Sequence, residues 1–364
     1  MQLNDEVLYS LALNGLAGLG PAALRELFAT FPTARSIFDA GPEAWIFSSR
    51  LPFDMSVAAA DLQPALARAH ADAELVERQG ARIYLAHTGA YPTMLRQTFC
   101  PPPLLYVIGE DIAQDRPAVA LVGSRACTHY GEKMARRFSE DLSSAGVTTV
   151  SGLARGIDTR VHEATLAAGG MTWAVVGSGL LMTYPPENKV LADRIRDHGA
   201  VISEFPMATK PHPANFPRRN RIIAGLSAAT VVVEGGATSG ALITARLAAE
   251  EGRDVFAVPG PVTSPQSSAP HRLLRDGAGL AESADDVLRE LGWENFILPK
   301  TMPDSSGESG ASQLIVNAVN DVPLDRDELL SRTALDAKSA ATLLVQLEMK
   351  GLIRTLPGGK LVKP

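Results

Sequence analysis

The chain has 364 residues, 46% hydrophobic and 20% charged, a composition that suits a folded protein of about two to three domains and excludes a disordered or collagen-like one. No apolar run is long enough to span a bilayer, so no membrane association is expected. MQLNDEVLYS has no basic segment ahead of an apolar core, and Cys100 and Cys127 form no CxxC pair, so the chain reads as cytoplasmic with two reduced thiols. The net charge of −6 is uneven: residues 1–115 carry −6, residues 116–290 carry +1 and residues 291–364 carry −1, so a local basic patch is compatible with an acidic whole.

Residues 1–60 read as short helices, with Leu8, Leu11, Leu13 and Leu16 near helical spacing and Gly18-Leu19-Gly20-Pro21 opening a second helix. This pattern resembles a helix-hairpin-helix or SAM-like module; the acidity of this third favours a packing role over a phosphate-holding one. An amphipathic helix is expected over Leu62–Gln79. The following GAYPTMLRQTFCPPPLLYVIG holds too many prolines for regular structure and reads as an extended connection, with a domain boundary near residue 115. Residues 116–298 alternate strands with helices. Strands are expected at Val119–Val122, Thr148–Val150, Thr172–Val176, Ala200–Ser203, Thr230–Val233 and Asp254–Val258; helices at Lys133–Ala145, Val161–Ala168, Lys189–His198 and Ala241–Glu251. That alternation predicts a Rossmann-like α/β domain with a mostly parallel sheet. A polar linker over residues 299–312 leads to a module over residues 313–364: three helices, the last ended by Gly351, then two short strands around Pro357-Gly358-Gly359, a winged helix. Its third helix offers Lys338 and Lys350 as its basic residues, which predicts a protein-contacting or accessory module rather than a major-groove reader.

Ligands of open α/β sheets bind at the carboxyl ends of the strands. The expected strands here end in Gly123-Ser124-Arg125, in Ser151-Gly152-Leu153-Ala154-Arg155-Gly156-Ile157-Asp158, in Gly177-Ser178-Gly179, in Ser203-Glu204-Phe205-Pro206, in Glu234 with the loop Gly235–Gly240, and in Pro259-Gly260. GSRACTHYG is not GxGxxG, and Met182 replaces the third glycine after Gly177-Ser178-Gly179, so no dinucleotide cofactor is expected. The histidines are scattered, so no metal site is expected. Ser124, Ser151, Ser178 and Ser239 sit in no GxSxG elbow and read as hydroxyl donors to phosphate; His162 reads as structural. Between residues 215 and 245 a strand approach carrying Phe216, Arg218, Arg219, Asn220 and Arg221 leads, through the strand, to a loop ending in Ser239 and Gly240 at a helix start. There free amides and the helix dipole favour anions. The arginines read as phosphate contacts or as salt-bridge partners of Glu204 or Glu234, Asn220 and Arg221 also as loop-fixing residues, and Phe216 as a base-stacking or core ring.

VGSR, SGLARGID, FPRRNRIIAGLS, VVVEGGATSGALITA and VFAVPG, in this order from Val122 to Gly260, resemble the DNA-processing protein A family (DprA, also called Smf). The resemblance implies a non-enzymatic Rossmann-like core that binds single-stranded DNA, protects incoming DNA and loads RecA recombinase during natural transformation, and forms a homodimer. It implies DNA contacts at Arg125, Arg155, Arg218, Arg219 and Arg221, with Phe216 as a base contact; the strand-end loops add Ser124, Ser151, Gly152, Gly156, Asn220, Ser239 and Gly240 as candidate DNA-binding residues. Ala269 and His271 stand where the family usually has glycine and asparagine, and Val161 where a small residue is common; this puts the loop after Gly260 in question as a DNA contact. An alternative is a nucleotide-processing phosphoribohydrolase using Glu234 and the glycine-rich loop; a transcription factor would rest on the winged helix alone.

Overall fold

The computed structural model describes residues 4–16, 18–48, 55–112, 116–293, 310–319, 323–333, 335, 337–349, 352–356 and 359–362. Most of the expected linker, Lys350 and Gly351 lie outside them. The chain divides into two units, Met1–Ile297 and Leu298–Pro364.

The first unit opens with α1 (Asp5–Asn14), α2 (Pro21–Thr30), α3 (Ala34–Ser48) and α4 (Met55–Arg78). The Asn4 side chain caps α1 by accepting from Val7 N–H at 3.0 Å, and Pro21 begins α2, where a missing N–H costs nothing. Leu11, Leu13, Leu24, Leu27, Ile37 and Trp45 close their core, with the Trp45 indole donating to the Ile37 carbonyl at 2.7 Å.

There follow β1 (Arg82–Leu85), α5 (Thr93–Arg96), β2 (Leu104–Gly109), β3 (Ala118–Val122), α6 (His129–Ser144), β4 (Thr148–Ser151), α7 (Ile157–Ala167), β5 (Thr172–Val175), α8 (Lys189–His198) and β6 (Gly199–Ser203). The unit ends with α9 (Asn215–Gly225), β7 (Ala229–Val232), α10 (Gly240–Glu250), β8 (Asp254–Ala257), α11 (Ser268–Arg275), β9 (Gly279–Leu280) and α12 (Ala284–Glu290). The sheet order is β1-β2-β6-β5-β4-β3-β7-β8-β9, parallel from β6 to β9 and antiparallel at β1/β2 and β2/β6. β3, β4, β5, β6 and β7 are buried along their whole length, as strands covered on both faces must be, which is why they read as nearly unbroken runs of small and β-branched residues.

Two expectations change. Leu104–Gly109 is a strand, so the sheet begins at Arg82, well before residue 115. The prolines stop at Pro103, ahead of the first ladder residue, and LLYVIG then has the donors and apolar side chains a strand needs. The Asn215–Gly225 stretch is a helix rather than a strand approach. Pro217 falls in its first turn, where no intrahelical N–H is required.

Asp72 on α4 fastens the helical module to the sheet: its carboxylate accepts from the Tyr106 hydroxyl at 2.5 Å and from Met207 N–H at 2.9 Å. The second unit contains α13 (Gly310–Ala318), α14 (Arg326–Thr333), α15 (Ala337–Met349) and a hairpin of β10 (Arg354–Thr355) with β11 (Leu361–Val362). Ile315, Leu329, Leu344, Leu347 and Leu361 form its core. Three helices followed by a hairpin is the winged-helix order.

Burial raises the Asp72 carboxyl above its ordinary 3.8, against the pull of its two hydrogen bonds. Its contribution to stability is therefore complete below pH 3.8 and is lost as pH rises through the folded value. Asp72→Asn, which keeps an acceptor without the charge, should unfold at neutral pH within about 1 kcal/mol of the parent in urea titrations, whereas Asp72→Ala, leaving both donors unpaired, should cost about 2 kcal/mol.

Candidate nucleic-acid interface

From β3 the chain winds outward through β4 and β5 to β6, then returns to lay β7 on the other side of β3. The loops after β3 and β7 therefore part in opposite directions, and a crevice of about 660 Å³ opens between them, the switch point of the topology. Ser124, Arg125, Phe216, Arg219, Asn220, Ser239 and Gly240 line it. A smaller hollow beside it is bordered by Arg125, Gly152, Arg155, Tyr184 and Phe216.

Helical periodicity sorts the arginines of α9. Arg218 and Arg221, three residues apart, share a face and both reach the buried Glu204 carboxylate, at 3.2 and 2.5 Å. Arg221 also donates to the Cys100 carbonyl at 2.6 Å, tying α9 to the segment before β2, and the Arg218 guanidinium lies 5.1 Å from the Phe205 ring centre. Phe216, Arg219 and Asn220 occupy the face turned to the crevice. Arg219 is only 3% exposed: it donates to the Val175 carbonyl, and a Cβ at Gly152 would overlap its guanidinium. It is thus the floor of the crevice rather than an exposed contact, because close packing against Gly152 leaves its head no route to solvent. Ser151 is likewise enclosed, donating to the Leu121 carbonyl at 2.7 Å inside the sheet.

The loop before α7 is bent around Asp158, whose carboxylate accepts from Gly152 and Ala154 N–H at 3.2 and 3.3 Å. Gly156, with φ of 74°, completes the turn, and a side chain there would overlap the Ser124 carbonyl and Arg125 backbone. Burial raises the Asp158 carboxyl above its usual range, opposed by the Arg219 charge and the loop amides. Burial lowers Arg219 to about 10, opposed by Asp158. Both shifts run toward the neutral forms, so desolvation outweighs the attraction between the two, yet Arg219 stays cationic at neutral pH.

Two arginines remain at the surface of the crevice. Arg125 lies with its guanidinium 5.3 Å from the centre of the half-buried Phe216 ring. Arg155 stands on the rim, ion-paired with Glu187. Ser239 caps α10 by accepting from Ala241 N–H at 3.3 Å, which turns the first turn of that helix toward the crevice. Ser124 is nearly buried and accepts from Ala126 N–H at 3.1 Å.

The groups a nucleotide hydrolase would call on are committed elsewhere. Glu234 is 2% exposed and its oxygens accept from Thr128 N–H at 2.8 Å and Thr128 hydroxyl at 2.6 Å, at the start of α6. His162 is enclosed, bonded through Nδ1 to the Thr172 hydroxyl at 2.7 Å, and held neutral with its pKa lowered to about 3 by burial and then by Arg219. Among the described residues no cluster of His, Cys, Asp and Glu could hold a metal ion. Ala269 is buried against Gly235 and donates to its carbonyl at 2.8 Å, while His271 Nε2 lies 3.0 Å from the Gly260 carbonyl; the two family departures thus serve to pack the loop after β8. A larger hollow of about 990 Å³ runs along α10, β8 and α11; Arg246 pairs with Glu250 and Arg272 with Asp276, Arg253 donates to the Met94 carbonyl, and Asp254 and Glu290 also line it, so it offers no excess of positive charge.

A mostly parallel sheet with a glycine-lined, arginine-flanked crevice at its switch point is the plan of a Rossmann-like protein with a site suited to anions. The family model described as DNA recombination-mediator protein A matches residues 82–292, and that of the DprA winged helix domain matches residues 299–359. The chain belongs to the DprA/Smf family. It is 40% identical to Protein Smf of Escherichia coli strain K12 over 293 residues, 78% of each chain, and 33% identical to Protein Smf of Synechocystis over 98% of each. The structure of DNA processing protein A from Streptococcus pneumoniae superposes with a TM-score of 0.65 at 34% identity, covering 80% of this chain and 99% of that one. That of DNA processing protein A from Helicobacter pylori, described for its single-stranded DNA binding mode, gives 0.53 at 25% identity, covering 58% and 95%.

Sequence reasoning passed over Tyr184, which lines the crevice, and Asn188, which anchors its segment; an aromatic residue just before a diproline, on the continuation of the Gly177-Ser178-Gly179 loop, was the available signal for Tyr184. The burial of Arg219 has a direct consequence for stability. Arg219→Ala removes the cation beside buried Asp158 and should cost on the order of 3 kcal/mol in denaturant titrations, whereas Arg125→Ala, at the surface, should stay within about 0.5 kcal/mol of the parent.

Proposed function

We propose that this chain binds single-stranded DNA along the β3/β7 crevice without converting it chemically, and serves as a recombination mediator that protects incoming DNA and passes it to RecA recombinase. The observation that carries this reading is the pairing of two surface arginines, Arg125 and Arg155, with the half-exposed Phe216 and the amino terminus of α10 across the crevice and the hollow beside it. Arginine forks and helix-terminal amides suit phosphates, and an aromatic face suits an unpaired base. Gly152, Gly156, Asn220, Ser239 and Gly240 shape the groove or offer amides and polar groups to the backbone, Ser124 supports the Arg125 turn, and Arg218 lies at its outer edge; Arg219, Arg221 and Ser151 act as framework. Membership of the family supports action in natural transformation, in the cytoplasm and as a homodimer. No described helix is long and apolar enough to cross a membrane.

The described exposed face of α15 carries Thr342, Val345, Gln346 and Glu348 and no arginine or lysine, which supports an accessory role for the winged helix; the side chain of Lys338 and all of Lys350 lie outside the described residues. The phosphoribohydrolase reading loses its acid with Glu234 committed to Thr128. Incubation with nucleoside monophosphates should release no free base.

Each charge-assisted contact contributes roughly 1.5–3 kcal/mol, so Arg125→Ala or Arg155→Ala should weaken oligo-dT binding about tenfold or more. The parent's log–log salt slope should be steep, about −0.7 per phosphate contact, and shallower in each variant. A folded double variant with parental affinity would place the site elsewhere. Deleting residues 305–364 should leave affinity for oligo-dT largely intact in a gel shift; abolition would make the winged helix a primary DNA site.

A further inference from the structure

The segment after β5 forms a wall of the crevice that neither the glycine motifs nor the arginines account for. Its course is built. The Ser178 hydroxyl donates to the Met182 carbonyl at 2.5 Å, and Met182 N–H to Gly179 at 2.9 Å, which shapes the turn. The buried Asn188 side chain donates to the Leu153 carbonyl and to the Thr159 hydroxyl, both at 2.9 Å, which pins the segment to the loop before α7. Between these anchors Tyr184 projects at 38% exposure and borders both the main crevice and the smaller hollow. Its ring centre is 5.7 Å from that of Phe216 at an interplanar angle of 46°, and it borders the same small hollow as Arg155.

A large aromatic side chain normally buries its ring in the core or covers it with neighbours. Here Arg125 lies over Phe216, so Phe216 already has the guanidinium and the Tyr184 ring as neighbours, while Tyr184 keeps over a third of its surface open to the groove. The available aromatic surface is thus on Tyr184, directly beside Arg155, the arginine placed to hold a phosphate. A phosphate on Arg155 brings the attached base within reach of that ring.

We propose that Tyr184 is a nucleobase-stacking residue of the crevice, favouring unpaired bases because those of a duplex are already stacked on one another. The inference rests on the crevice being the single-strand site. Its sequence tolerance follows, since every base has a π-face.

The test uses the full chain and fluorescence anisotropy with two ligands of equal length, oligo-dT and an abasic oligonucleotide with the same phosphates. Tyr184→Ala and Tyr184→Leu should each weaken oligo-dT binding about tenfold. Both should bind the abasic ligand as the parent does, and Tyr184→Phe should restore parental affinity for oligo-dT. Circular dichroism checks the fold of each variant. Equal losses on both ligands would mean that Tyr184 acts through Arg155 or loop shape, and the inference fails. Parental affinity of Tyr184→Ala and Tyr184→Leu for oligo-dT also overturns it. A parent protein that binds neither ligand overturns the crevice reading itself, and this inference with it.

Discussion

A positive charge sealed beneath the crevice sets the shape of everything above it. Arg219 reaches from α9 under Gly152 to the Val175 carbonyl, beside the carboxylate around which the loop before α7 is wound. A cation and an anion held out of water are expensive, and both shift toward neutrality, so the pair is weak grounds for stability in itself. What it provides is position. It joins α9, β4, β5 and the loop before α7, and so fixes where Arg155 and Phe216 stand relative to Arg125. Glycine at residue 152 is required because the guanidinium occupies the space a side chain would take.

The basic residues consequently fall into two groups with different physics. Arg219 and Arg221 are spent on carbonyls and buried acids, with Arg218 drawn partly the same way by Glu204. Arg125 and Arg155 keep their charge where water, salt and a polyanion can reach it. Glu187 holds Arg155 on the rim through an exposed ion pair, the kind of contact that a phosphate can displace at little cost. An acidic protein can in this way keep a small cationic surface confined to one groove.

The core of the sheet was legible because its strands are short apolar runs rich in Val, Ala and Thr, most of them closed by glycine or serine, and the observed strands lie within a residue of where those runs begin and end. Of the six strand-end motifs, those after β3, β4 and β7 line the crevice; Gly177-Ser178-Gly179, Ser203-Glu204-Phe205-Pro206 and Pro259-Gly260 share the carboxyl edge of the sheet but are not part of its lining. Three things were not legible. The antiparallel strand Leu104–Gly109 was masked by the prolines preceding it, whose effect stops at Pro103. The clustering of Arg218, Arg219 and Arg221 suggested one surface, because residues adjacent in sequence look equivalent until the helical rotation of about 100° per residue is known. With Asn215–Gly225 helical, one arginine turns to the interior and its neighbours to Glu204. Tyr184 was hidden for a related reason: its place before a diproline is a weak local signal, and what brings it to the crevice is the anchor at Asn188, a tertiary contact.

The central claim is that a single strand lies in the groove between the loops of β3 and β7. Photocrosslinking with an oligonucleotide containing 5-iododeoxyuridine, followed by peptide mass spectrometry, reads that placement directly. The account predicts adducts on the peptides carrying Tyr184 and Phe216. Adducts confined to the Gly18–Pro21 hairpin or to the winged-helix module would contradict it.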